Sequence, residues 1–257
     1  MLHDIHLFNS LLVAMAILAV VVYIALHFIN AGYGMMYNRK WGPAIGNRTG
    51  WVLMEAPVFI AMCILWWRSD RQWDVVPMII FALFQLHYFQ RAFIFPLILK
   101  GHNKMPIAII AMGIIFNLLN ALMQGGWLFY LAPDGRYGID WLFSPQFIAG
   151  VTIFSMGMAI NINSDSVIRN LRKPGDTRHY LPCGGMFNYV SSANYFGELL
   201  EWCGFAVLTW SWAGAVFALW TFANLAPRAE QIYKRYCSEF GEEFTRLKLH
   251  RIIPYIY

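Results

Sequence analysis

Residues 7–38, LFNSLLVAMAILAVVVYIALHFINAGYGMMYN, contain no Lys, Arg, Asp or Glu. About 20 helical residues cross the roughly 30 Å hydrocarbon layer of a bilayer, so a run of this length reads as a membrane span. Its apolar heart, Phe8–Ile29, exceeds the about 7–15 residues of a signal-peptide core. It also lacks a basic flank and a small-residue cleavage site, so no cleavable leader is expected. Across the chain, 59% of the 257 residues are hydrophobic and 13% are charged. A soluble domain carries about 25% charged residues. The bland alternative, a large soluble core, fails because too few charges exist to coat one.

Working outward, further apolar runs predict spans at Trp51–Trp67, Val75–Leu99, Met105–Leu131, Trp141–Ile162, Ser192–Trp210 and Trp212–Ala226. Only Ser211 separates the last two. The fold class expected is all-α, a polytopic protein of seven transmembrane helices. Trp51, Trp66, Trp67, Trp73, Trp127, Tyr130, Trp141, Trp210 and Trp212 cluster at the ends, as an aromatic belt does at the bilayer interface. Basic residues set the orientation. Arg39, Lys40 and Arg48 follow the first span, Lys100 and Lys104 the third, and Arg169, Arg172, Lys173 and Arg178 the fifth. The tail holds Arg228, Lys234, Arg235, Arg246, Lys248 and Arg251. Against these stand Arg68, Arg71 and Arg136 in opposite loops, and Arg91 within the third span. The positive-inside rule then predicts a cytoplasmic C-terminus and a non-cytoplasmic N-terminus. The net charge of +5 follows from loops beside anionic lipid and calls for no nucleic acid. Cys63, Cys183, Cys203 and Cys237 are scattered without metal-ligand spacing, so neither a disulfide nor a metal site is expected.

Ionisable side chains at membrane depth cost several kcal/mol unless they face protein or water, which makes them functional candidates. Glu55 lies one turn into the second span, and His87, Tyr88 and Arg91 lie in the middle of the third. His87 and Arg91, four apart, share a helix face. The mid-span depth of Arg91 asks for an anionic partner. Asn117, Asn120 and Gln124 recur on one face of the fourth span. Such amides either bridge helices or serve a site, and the spacing leaves both open. Glu198 and Glu201 fall in the sixth span, and His27 is expected at the interface without chemistry.

A polar, loop-like stretch is predicted from Asn161 to Tyr195. Asn161 and Asp165 are four apart at the cytoplasmic end of the fifth span, Arg169 and Arg172 follow, and Pro174-Gly175 stops the helix. Acids for ribose hydroxyls beside arginines for phosphates suit a nucleotide. The sequence has neither a Gly-x-Gly-x-x-Gly nor a Walker motif, and an ordinary basic loop fits the same spacing.

Several motifs occur in order along nearly the whole chain: Gly32-Tyr33-Gly34, the Glu55 segment, His87-Tyr88-Phe89-x-Arg91, Asn161-Ile-Asn-Ser-Asp165, Leu-Arg172-Lys-Pro-Gly175, Pro182-x-Gly184-Gly-x-Phe187-x-Tyr-Val190-Ser, Ala193-Asn194-Tyr-x-Gly197-Glu198-x-x-Glu201-Trp202 and Ile253-Pro254-Tyr-Ile-Tyr257. Together they closely resemble the steroid 5-alpha-reductase family, and the chain looks like a bacterial-type member. The resemblance implies one seven-helix membrane domain over 1–257, with 1–131 mainly a substrate chamber and 141–257 mainly a cofactor-binding half. It implies NADPH-dependent reduction of the Δ4 double bond of 3-oxo-steroids. Asn161, Asp165, Arg172, Asn194, Glu198 and Tyr236 would hold NADPH, with Tyr33 and Arg91 near its phosphates. Glu55 and Tyr88 would bond the 3-oxo oxygen. The expected partners are a steroid or another lipid-soluble enone and membrane lipid, and the chain is expected to act as a monomer. The expected location is a bacterial inner membrane, or the endoplasmic reticulum in a eukaryote. Two departures stand out: Met54 replaces the Gln that animal members carry before the glutamate, and residues around His179 and Ile232 differ from the animal pattern.

An enone accepts hydride at its β-carbon when its carbonyl is polarised, and donors aimed at that oxygen stabilise the developing enolate. Tyr88 can donate its hydroxyl hydrogen, and Glu55 can donate in its protonated form. Hydride would go to C5, and a proton would reach C4 from water or another donor. Competing readings are an enoyl-thioester or polyprenal-type reductase, a membrane S-adenosylmethionine-dependent methyltransferase, and a transporter using Glu55, His87 and Arg91. The Asn161–Asp165 and Arg172–Gly175 motifs favour a reductase over a methyltransferase. The lack of internal repeat symmetry counts against a transporter.

Overall fold

The structure of the protein, a computed structural model, describes residues 2–29, 32, 34–100, 103–171 and 178–257. Two residues expected at the cofactor, Tyr33 and Arg172, lie outside the described residues. Among the described residues the fold is all-α apart from one short ribbon. Its helices are α1 (Ile5–Phe28), α2 (Asn47–Trp67), α3 (Val75–Ile98), α4 (Ile107–Leu131), α5 (Pro145–Asn170), α6 (Ala193–Thr209), α7 (Trp212–Phe240) and α8 (Glu242–Thr245). Strands β1 (Ala44–Gly46) and β2 (Lys104–Pro106) pair antiparallel, Ala44 opposite Pro106. Helices α1 to α5 are long and apolar enough to cross a membrane. On α1, Val13, Ile17, Val21 and Ile24 are each at least half exposed, as lipid-facing residues are.

Three predicted boundaries are corrected. Trp141 sits in the 3-10 turn Ile139–Phe143, and the fifth helix runs from Pro145 to Asn170. Residues 161–170, predicted as loop-like, are therefore helical. Asn161, Ser164 and Asp165 are buried there, so their polarity marks a polar protein face and not a loss of helix. The seventh helix continues past the predicted Ala226 to Phe240, with Pro227 inside it. Its extension is held on one side by Leu225, Ala226 and Ala229, packed with Leu199 and Ile252. It also carries the i,i+4 pairs Glu230–Lys234, at 2.9 Å, and Arg235–Glu239, at 3.4 Å. Ser211 does separate α6 from α7, after a left-handed Trp210 (φ 45°) closes α6.

The chain divides into two compact units. The first comprises Met1–Met15, Ala31–Ile148 and Ser211–Ala213. Helices α2 and α4 run parallel along their length in it. Gly50 meets Ile110, Gly113 meets Met54, and Gly125 meets Met62 and Leu65. Met54, Met105, Ile109 and Ile110 form the core at their start. Helices α3 and α4 contain π-helical turns at Gln90–Ile94 and Trp127–Leu131, a distortion frequent at functional sites.

The second unit comprises Ala16–Asn30, Ala149–Trp210 and Gly214–Tyr257. Its spine is a glycine seam between antiparallel α5 and α6. Gly150 faces Leu208, Gly204 faces Phe154, Gly157 faces Glu201 and Gly197 faces Asn161. A Cβ on Gly157 would lie 2.6 Å from the Cα of Glu201, and one on Gly197 would lie 2.8 Å from the Cα of Asn161. Small residues let membrane helices touch backbone to backbone in this way. The tail closes the unit: Val190 bridges His250, Tyr257 OH donates to Glu230 at 3.2 Å, and Arg251 lies over the rings of Tyr233 and Tyr257.

Candidate active site

In the first unit, the acid and the phenol singled out in the sequence come from different helices and meet a common scaffold. Gly113 brings α4 against Met54, and the next turn of α4 carries Asn117. Asn117 Nδ2 donates to the Met54 carbonyl at 2.7 Å and to Glu55 Oε2 at 3.1 Å. Three residues on, Asn120 Nδ2 donates to the Tyr88 hydroxyl oxygen at 3.1 Å. Gln124 Nε2 in turn donates to Asn120 Oδ1 at 3.3 Å and to the Ala213 carbonyl at 2.9 Å. Tyr88 and all three amides are buried, Asn120 completely, while Glu55 is half-buried. Buried amides satisfied in this way hold their partners in fixed geometry.

Tyr88 is flanked by Phe84, with ring centroids 4.7 Å apart, and by His87 at 5.0 Å. Arg91, in the π-helical turn one helical turn further on, is buried. Its guanidinium lies 4.8 Å from the Trp51 ring centroid and 4.6 Å from that of Phe95, within cation–π range.

In the second unit, the seam positions a polar cluster at one end. Gly197 fixes the backbone of Asn161, and Asn161 Nδ2 donates to the Asn194 carbonyl at 2.9 Å. Asn194 Nδ2 then donates to Asp165 Oδ1 at 3.1 Å. Glu198 follows Asn194 by one turn of α6 and is half-buried. At the foot of α6, buried Ser192 Oγ has no hydrogen-bond partner among the described residues. Tyr195 OH accepts from Arg228 Nε and Nη2 at 3.2 and 3.1 Å. Tyr236 lies on the extension of α7, packed edge-on against Phe240 and Phe244. It lines a shallow recess with Leu181, Pro182 and Ser191. Burial pushes its phenol up to about 12, so it is neutral at any physiological pH and can act as a hydrogen-bond donor.

The family model described as 3-oxo-5-alpha-steroid 4-dehydrogenase matches residues 103–257. A steroid 5-alpha-reductase of Gossypium hirsutum is 36% identical over 261 residues, covering all of both chains. The chain belongs to the 3-oxo-5-alpha-steroid 4-dehydrogenase family. The type 1 enzyme of Mus musculus is 36% identical, with 99% of each chain covered. That of Homo sapiens is 37% identical, with 97% of this chain and 96% of the relative covered. A member of this family is an oxidoreductase, and that class sets the reading of the two residue sets.

For a steroid dehydrogenase family member, the grouping is informative. Asn161, Asp165 and Asn194 are joined by direct hydrogen bonds, with Glu198 next along the helix. Glu55 and Tyr88 are each held by an amide of the same helix, Asn117 and Asn120. Arg91 belongs to the first unit and Tyr236 to its own aromatic recess in the second. Sequence reasoning left the roles of Asn117 and Asn120 open and passed over the seam glycines. The signals were present: two amides three apart at the depth of the acid, and glycines seven apart on two successive helices.

Proposed function

We propose that the chain reduces the Δ4 double bond of 3-oxo-Δ4-steroids to 5α-3-oxo-steroids with NADPH. The observation that carries this reading is the Glu55–Asn117 and Asn120–Tyr88 pairing. It holds an acid and a phenol on neighbouring turns of one scaffold helix, as a pair gripping a single carbonyl oxygen must be held. Tyr88 and protonated Glu55 donate to the 3-oxo oxygen and stabilise the enolate-like charge that grows there. The apolar helices α2 to α4 of the first unit suit a steroid body.

The second unit suits the dinucleotide. The Asp165 carboxylate offers acceptors for hydroxyl groups, and the orphaned Ser192 Oγ beside Asn194 calls for a polar ligand. We assign Asn161, Asp165, Arg172, Asn194, Glu198 and Tyr236 to NADPH, with Tyr33 and Arg91 toward its phosphates. Bound NADPH supplies the hydride that adds at C5. The protein's part is to orient the reactants and exclude water. Helix α6 and the first part of α7, to Ala226, complete seven spans. The basic residues then put the C-terminus on the cytoplasmic side of a bacterial inner membrane or endoplasmic reticulum. One chain carries both residue sets, so a monomer suffices.

The test is incubation of purified protein with testosterone or progesterone and NADPH, following the nicotinamide absorbance and identifying the product. A 5α-3-oxo product supports the reading. No turnover of either enone, or reduction of the carbonyl instead of the double bond, overturns it.

A further inference from the structure

The fourth span carries polarity that the two-residue account of the carbonyl site does not use. Three amides on one face of α4 donate five hydrogen bonds, in two sets: Gln124 and Asn120 lead to Tyr88, and Asn117 leads to Glu55. Gln124 donates to Asn120, Asn120 donates to the Tyr88 oxygen, and Asn117 donates to the Glu55 carboxyl. The ladder is anchored at its ends by backbone carbonyls, Ala213 for Gln124 and Met54 for Asn117. Those contacts fix which way each amide faces: each Nδ2 or Nε2 meets a carbonyl or hydroxyl oxygen.

The direction has a chemical consequence. A phenol oxygen that accepts from Asn120 points its own hydrogen elsewhere, and accepting a hydrogen bond strengthens the bond it donates. The Gln124 contact to Asn120 Oδ1 acts in the same sense one step back. Asn117 fixes one oxygen of Glu55, which leaves the rotation of that carboxyl set by the scaffold. Asn117 also brings an amide to Glu55 in a chain whose preceding residue, Met54, has none.

We propose that the amide ladder of α4 positions and polarises the Glu55–Tyr88 pair in two rungs, Gln124 through Asn120 on Tyr88 and Asn117 on Glu55, with Asn117 supplying the amide that Met54 does not. They are positioning residues: they act through Glu55 and Tyr88 and not on the substrate. This inference rests on the carbonyl-polarising role given above to that pair.

Two pairs of variants test it. Asn120→Leu removes the donor at nearly constant volume, and Asn120→Asp replaces the donor with an acceptor for the Tyr88 hydrogen. The expected kcat for the enone falls about tenfold in Asn120→Leu, and further in Asn120→Asp, with KM changed less than about threefold, because the lost interaction is one that strengthens in the transition state. The carbonyl stretch of bound 3-oxo-Δ4-steroid should move back toward its value in an apolar solvent in the same order. Asn117→Leu should also lose kcat, and Met54→Gln in that background should restore part of it. Three outcomes overturn the inference: Asn120→Asp at least as active as Asn120→Leu, no carbonyl shift in either, or no rescue by Met54→Gln. A merely structural role would lower folded yield and NADPH binding together and leave the two Asn120 variants alike. If wild-type protein fails to reduce the enone, the functional reading fails. If wild type is active and Tyr88→Phe inactive while both Asn120 variants match wild type, only the ladder fails.

Discussion

The two polar sites are built by different means. In the first unit, side chains from three helices interlock: Glu55 from α2, Tyr88 from α3, and Asn117 and Asn120 from α4. In the second, the cluster of Asn161, Asp165 and Asn194 is set by backbones in contact, through Gly157 and Gly197. A hydrogen-bonded scaffold tunes the direction of individual protons and is sensitive to single atoms. A glycine seam tunes the spacing of whole helices, tolerates changes in polarity, and fails when a single methyl is added. The first suits a group that must polarise a carbonyl, the second a cradle that must fit an extended ligand.

The comparison can be broken first at the carbonyl site. Tyr88→Phe and Glu55→Gln should each lower kcat about a hundredfold or more, the scale of losing one oxyanion donor, with thermal stability nearly unchanged. Measured together with NADPH affinity, they separate the sites: affinity should hold within about twofold. At the seam the pattern should invert. Gly197→Ala pushes a methyl into the Asn161 backbone and should cost about 1–3 kcal/mol of stability, as overpacking does. NADPH affinity should fall with it, read by melting temperature with and without cofactor. A seam variant that melts like wild type and keeps its affinity would remove the distinction between the two sites.

Asp165→Asn sharpens the second site without disturbing its spacing. It should weaken NADPH about tenfold, the worth of one charge-assisted hydrogen bond, with little change in melting temperature. Titration by tryptophan fluorescence checks this. The smallest effect concerns the tail. The Lys234 ammonium and the Tyr257 hydroxyl beside Glu230 hold its carboxyl below the ordinary value of 4.5. A depressed acid contributes stability that is present above that value and lost as the pH falls through the folded one. Proteolysis of the C-terminal residues should therefore quicken below about pH 4.5, and Glu230→Gln should flatten that dependence.

Much of this was legible in the chain. Hydropathy is a local property, so the apolar runs lie in helices, five of them among the described residues long and apolar enough to cross a membrane, and Ser211 marks the sharp turn between α6 and α7. The C-terminal ends of α5 and α7 differ from the predicted ones because hydropathy and helicity diverge there. Residues 161–170 turn polar to meet a buried polar face, and α7 keeps helix-forming residues past Ala226 while its surroundings change. The site was legible in part. The depth of Glu55 and Tyr88 singled them out, and the spacing of Asn117 and Asn120 put both on one face. Their partners lie 62 and 32 residues away, and no local pattern reports such pairings. The same holds for the seam: glycines seven apart are visible, but their register against Asn161 and Glu201 exists only once α5 and α6 pack.

In the proposed reaction a polarised 3-oxo group lets hydride add at the far end of the enone. The most direct measurement uses NADPH deuterated at the transferable position, with testosterone as substrate, and locates the label in the product by mass spectrometry and NMR. One deuterium is expected at C5 on the α face, with transfer slowed about a hundredfold or more in Tyr88→Phe. Deuterium at C3, or transfer at the wild-type rate in Tyr88→Phe, would contradict it.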